Sequence, residues 1–233
     1  MNTTIIKLAI QALLGRRRFW LLLALPMALI GLTALIRALS SDDAAAWPMI
    51  SFLGYTLVLP LVAILAASSV LGPEVDDGSI VYLLSKPVSR HAVANSKWLV
   101  AWSATLVVGS LGVLAAGLVA GGGSQAVAWW VAAVVAGTTY SGLFLALSSF
   151  TRHAVVVGLI FVLIWEGLAG GFLSGVAWLS IGQWGIRVGH EVSSSLDDPV
   201  NLPWAILASF VVTVGGVWFA GDRLRSFTLS GDE

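Results

Sequence analysis

One carboxylate stands where an apolar chain should have none. Glu166 lies within Trp165-Glu166-Gly167, in the middle of an apolar stretch. A charge at that depth faces a bundle interior or water, because hydrocarbon solvates it poorly. Two roles suit it: contact with a transported substrate or proton, or bonding to a neighbouring Ser, Thr or Trp that holds the fold. A second acidic group, Glu74, Asp76 and Asp77, precedes Gly78. Glu74-x-x-Asp77-Gly78 could begin a metal cradle beside a phosphate, but that chemistry needs further carboxylates. No Asp pair follows in the next apolar stretch. His91, His153 and His190 are scattered, and no H-E-x-x-H occurs. Lys7, Lys86 and Lys97 follow Ile6, Ser85 and Ser96, so no Gly-Lys of a Walker A loop exists. No acid, base and nucleophile converge, and no catalytic residue is assigned.

The chain that must position Glu166 has 233 residues, 58% hydrophobic and only 10% charged. Its mean hydropathy is +0.94. A soluble domain carries roughly 25% charged residues. So apolar a chain excludes an ordinary soluble enzyme and a disordered protein. Twelve basic residues balance twelve acidic ones, so no bulk field attracts nucleic acid. Cysteine is absent, which excludes disulfides and thiolate sites.

The expected fold is all-α, a polytopic membrane protein forming one transmembrane domain over 1–233. A crossing helix needs about 20 apolar residues. Six stretches are read as spans: 19–39, 51–72, 98–120, 125–150, 154–173 and 202–221. Pro26 and Pro60 fall inside spans, where neighbouring helices can satisfy the freed backbone groups. Basic residues set the orientation. With the N-terminus cytoplasmic, Lys7, Arg16, Arg17, Arg18, Lys86, Arg90, Lys97, Arg152, Arg223 and Arg225 lie inside, and Arg37 and Arg187 outside. That is a strong positive-inside bias, and it places both termini in the cytoplasm. Of 11 tryptophans, only Trp165 falls mid-span; the others mark span ends as an aromatic belt. A signal peptide is a poorer reading of the N-terminus, because the apolar run is too long.

Outside the spans, residues 1–18 read as an amphipathic helix in the cytoplasmic interface, ended by Arg16–Arg18. In 73–97, Pro73 and three acids suit the first turn of a short helix. Ile80, Val81, Leu83 and Leu84 give that helix an apolar side. Lys86-Pro87 ends it, and Ser89 can cap a second helix that runs through Lys97 into span three. Gly121–Ser124 is a tight turn. The region 174–203 is long, expected outside, and suited to short helices that dip back into the membrane. Gly167, Gly171 and Gly175 recur every four residues, a spacing that suits a close helix contact or a subunit interface.

The segment 72–97 resembles the cytoplasmic loop of ABC-2 type exporter permeases. Glu74, Gly78-Ser79, Leu83-Leu84, Pro87-Val88-Ser89-Arg90 and Lys97 carry the resemblance. Ser79 stands where Thr is common, and Ser96 where Gly is common. The interfacial helix, six spans and outer region also look like that family. The resemblance implies an exporter permease in the plasma membrane, paired with a second permease, either a copy of itself or a sister permease, and served by a separate ABC ATPase subunit. ATP and Mg would bind the ATPase; no cofactor is expected in this chain. It implies a coupling helix over 74–85, with Tyr82, Leu83 and Leu84 in an ATPase groove. Glu74, Asp76, Asp77 and Arg90 would form rim ion pairs around Gly78. Glu166 would lie near the translocation path or in the bundle interior. A membrane scaffold or a stand-alone carrier without an ATPase is the competing reading.

Overall fold

The computed structural model describes residues 3–13, 15–42, 44–76, 89–151, 153–169 and 174–226. Every regular element among them is helical. Helix α1 is Thr3–Leu13 and α2 is Arg16–Leu39. Helix α3 covers 47–76, with a π-helical stretch at Ile50–Val58. Helix α4 is Arg90–Ala120, π-helical at Thr105–Ser110. Helix α5 is Gly123–Phe150. Helix α6 covers 154–169 and is π-helical from Phe161 onward. A 3-10 turn at Ser174–Leu179 leads to α7, Ile181–His190. Helix α8 is Leu202–Ser226.

Five of these helices, α2, α3, α4, α5 and α8, are long and apolar enough to cross a membrane. The sixth expected span, 154–173, falls on α6, whose apolar part among the described residues is Ala154–Gly167, shorter than the other five. A π-helical second half gains less height per residue than an α-helix. After residues 170–173, which lie outside the described set, the 3-10 turn brings the chain back to Glu166, and α7 then runs on along α5 in the same direction as α6.

Helix α5 is the hub. It touches α3, α4, α7 and α8. Its inner positions are small: Ala128, Ala132, Ala136, Gly137, Ser141 and Gly142 are all buried. Small residues let helix backbones approach where no hydrophobic effect drives them together. A Cβ on Gly142 would stand 2.8 Å from the Thr213 carbonyl, so α5 and α8 meet there backbone to backbone. Helix α2 seats Pro26 on Gly112 of α4. Its Trp20, Leu21, Met27 and Leu35 stay exposed, as a lipid-facing stripe would be. Between α4 and α5, Gly121, Gly122 and Gly123 all have positive φ, which glycine adopts without a steric penalty. The expected tight turn is there.

Two cores result. The larger runs through most of the bundle. A smaller one gathers Leu71, Val93, Ala94, Leu145, Val217, Ala220 and Leu224. It lies where α3 ends, α4 begins, and α5 and α8 end. Arg223 sits 5.4 Å over the Phe150 ring at the same face. Helix α1 packs across α3 and α4 there, with Ala9 and Leu13 buried and Leu8 and Ile10 exposed. An extended Gly15 breaks α1 from α2, so α1 is a separate element. Helix α3 continues through Pro73 to Asp76, rather than a new helix starting at Pro73. Ser89 caps α4, its Oγ accepting from the Ala92 N–H at 3.3 Å.

Candidate functional site

Glu166 lies in the π-helical half of α6 and is 5% exposed. Its carboxylate meets the start of α7. Ser180 Oγ donates to Oε2 at 2.6 Å. The Gly182 N–H donates to the same oxygen at 3.1 Å. The Ile181 N–H donates to Oε1 at 3.0 Å. Tyr140 on α5 lines the cavity beside the carboxylate. A carboxylate offers about four lone-pair positions. The three donors from the start of α7 engage most of them.

The local chemistry explains the choice of partner. The first N–H groups of a helix have no intrahelical acceptor, and that end carries positive partial charge. Ser180 is the N-cap of α7 and accepts from the Gln183 N–H at 3.2 Å. Its hydroxyl hydrogen is then directed to Glu166. Serine and glutamate together satisfy three backbone N–H groups of a buried helix start.

Other groups hold the same junction. Tyr55 on α3 donates to the Gly182 carbonyl at 2.7 Å. Trp165 Nε1 donates to the Leu179 carbonyl at 3.3 Å. Trp184 and Trp204 both donate to the Trp178 carbonyl at 2.8 Å. Helix α7 runs antiparallel to α5: Gly185 faces Ala132 and Ala136, and Gly189 faces Ala128 and Ala132. Cβ atoms at either glycine would stand 2.6 Å from an α5 carbonyl oxygen. Beyond α7, Arg187 pairs with Glu191 at 2.7 Å and Asp198 at 2.8 Å, which fixes the connection to α8. A cavity of about 210 Å³ remains between Phe52, Tyr55, Thr56, Tyr140, Glu166 and Gln183. Its walls mix aromatic rings with hydroxyl and amide groups.

The remaining sequence-predicted residues are dispersed. Glu74 and Asp76 lie in the last turn of α3. Arg90 opens α4. Asp77, Gly78, Tyr82, Leu83 and Leu84 lie outside the described residues, as does Gly171. At its described members the glycine series makes no close contact with another described residue. A Cβ on Gly175 would meet nothing within 4 Å, and one on Gly167 only its own helix's Val162 carbonyl, at 3.6 Å. The close approaches use Gly142, Gly185 and Gly189 instead, because those glycines face a packed helix.

Sequence reading missed Tyr55, Tyr140 and Ser180. Their numbers come from three other elements, so no linear spacing links them to Glu166. One local signal was available: Ser180-x-x-Gln183 has the pattern of a capping box.

Five long apolar helices, packed through small residues on α5, with a short helix that starts on a buried carboxylate, define a polytopic helical membrane protein. The chain belongs to the ABC-2 family of transporter proteins: that family's model, described as ABC-2 family transporter protein, matches residues 3–183. The match runs from α1 into α7 and includes Glu166 and the three α7 donors. No curated protein matches the chain.

Proposed function

We propose that this chain is the membrane permease subunit of an ATP-binding-cassette exporter, powered by a separate ATPase subunit that binds ATP and Mg. The observation that carries the reading is membership of the ABC-2 transporter family over most of the chain. The helices that flank residues 77–88 in the chain, α3 and α4, support it, because α1 packs across both. In this reading that face is cytoplasmic, which agrees with Arg90 and Arg223 there. Residues 74–85 are the coupling helix. Tyr82, Leu83 and Leu84 fill an ATPase groove, and Glu74, Asp76, Asp77 and Arg90 form its rim around Gly78. A second permease copy completes the transport unit in the plasma membrane.

At the other end, α7 dips into the outer half of the bundle and gates the exit. Glu166 holds it there. The 210 Å³ cavity beside Glu166 lies on the path or against it.

The test is purification from native membranes in mild detergent, followed by subunit masses and ATPase activity. A co-purifying ATPase, lost on Leu83→Ala with Leu84→Ala, is the expected result. A lone permease across several detergents would overturn the reading in favour of a scaffold or carrier.

A further inference from the structure

Lysine is among the residues least often fully buried. Lys97 nevertheless keeps only 1% of its surface exposed. It lies about 10 Å into α4 from the end nearest α1. Its Nζ donates to the Val70 carbonyl of α3 at 2.7 Å. A carbonyl within a helix accepts one backbone N–H and keeps a second lone pair. The lysine takes that position without displacing a bond of α3.

The surroundings give this bond a mechanical setting. Val70, Val100 and Ala101 belong to the larger core. Leu71, Val93 and Ala94 belong to the smaller one. The lysine–carbonyl bond therefore stands where the two cores meet. It also joins the two helices that flank residues 77–88, and α1 packs across both of them. Apolar contact is non-directional, and two apolar helices held by it alone can slide. A hydrogen bond from a charged donor is short, directional and stronger. It fixes the register of α3 against α4 where leucine could not.

We propose that Lys97 is a positioning residue, whose bond to the Val70 carbonyl staples α3 to α4 so that a displacement entering at 77–88 moves both helices together. The proposal rests on the permease reading above for its role in transport, and on geometry alone for the staple.

The chain has no cysteine, so introduced cysteines carry spin labels without background. Ser68→Cys on α3 and Asn95→Cys on α4 place one label on each helix. In the permease alone, reconstituted in phospholipid nanodiscs, the distance distribution is expected to be narrow. It broadens in Lys97→Met and stays narrow in Lys97→Arg. In the ATPase complex, Lys97→Met is expected to lower transport per ATP hydrolysed about tenfold while the ATPase still co-purifies. A distribution unchanged by Lys97→Met overturns the staple. An unchanged ratio of transport to hydrolysis overturns its role in coupling. Should Lys97→Met fail to reach the membrane, Lys97→Leu, which has no donor either, is read the same way. If no ATPase accompanies the wild-type chain, the permease reading fails, and the label distances still decide the staple.

Discussion

Two buried charges, Glu166 and Lys97, sit at different levels of the bundle. Their neighbours on α3, Tyr55 and Val70, are about 20 Å apart along that helix. Each charge meets backbone, and the backbone pole is opposite in the two cases. Glu166 accepts from the N–H groups that open α7. Lys97 donates to a carbonyl of α3. The geometry around them differs too. Lys97 stands between two regular α-helical stretches, each part of a long helix. Glu166 stands in a π-helical stretch opposite another at Ile50–Val58, and it holds a helix of 10 residues. A long helix keeps its place by packing along its length. A short one, with its start buried, needs its orphan N–H groups satisfied at that start. The carboxylate therefore anchors an element that could not stay otherwise, whereas the ammonium sets the register of elements that would stay anyway.

The largest effect should follow from Glu166→Leu. It strands Ser180 Oγ and two backbone N–H groups away from water, at a cost of about 3–5 kcal/mol. Thermal unfolding in detergent should show a clear fall in midpoint. Hydrogen exchange should show the α7 amides losing protection well before those of α5. Exchange that leaves α7 as protected as before would break the contrast at its stronger end. The contrast sharpens if Lys97→Met leaves α7 exchange unchanged.

Gly185→Ala comes next. Its Cβ would stand 2.6 Å from the Ala132 carbonyl oxygen and overlap the Tyr55 hydroxyl. Overpacking of this kind costs about 1–3 kcal/mol. The same exchange experiment should register a smaller loss, while Gly175→Ala, which meets open space, should leave stability unchanged. Equal effects at both positions would contradict the packing of α7 on α5. The smallest effect belongs to Tyr55→Phe. It removes one hydrogen bond to the Gly182 carbonyl, worth about 1 kcal/mol. A stability change far above that would move the main anchor of α7 from Glu166 to Tyr55.

The long helices were legible because their signal is local. Twenty apolar residues in a row announce themselves, and α2, α3, α4, α5 and α8 all overlap the expected spans. The Ser89 cap was legible for the same reason: donor and acceptor lie three residues apart. Glu166 stood out because charge in an apolar stretch is costly. What it binds did not, since Ser180, Ile181 and Gly182 belong to another element, α7 and its cap. Lys97 was read as one of a set of cytoplasmic cations. Its burial depends on Val70, which sequence places 27 residues away with nothing to connect them. The glycines of the packed helices were hidden in the same way. Regular spacing drew notice to Gly167 and Gly175, yet close approach depends on what stands opposite, and only α5, α7 and α8 in place reveal Gly142, Gly185 and Gly189.

From sequence alone came the all-helical class, the membrane setting, the places of the long helices and the presence of a charge that must be satisfied. Composition and local periodicity decide those, since each is a preference of neighbouring residues for helix and for hydrocarbon. Tertiary structure decided that α7 starts on Glu166 and runs along α5 beyond α6, and that Lys97 joins α3 to α4. Those outcomes depend on which backbone group lies within about 3 Å of a buried charge, and that is settled only when separate helices pack.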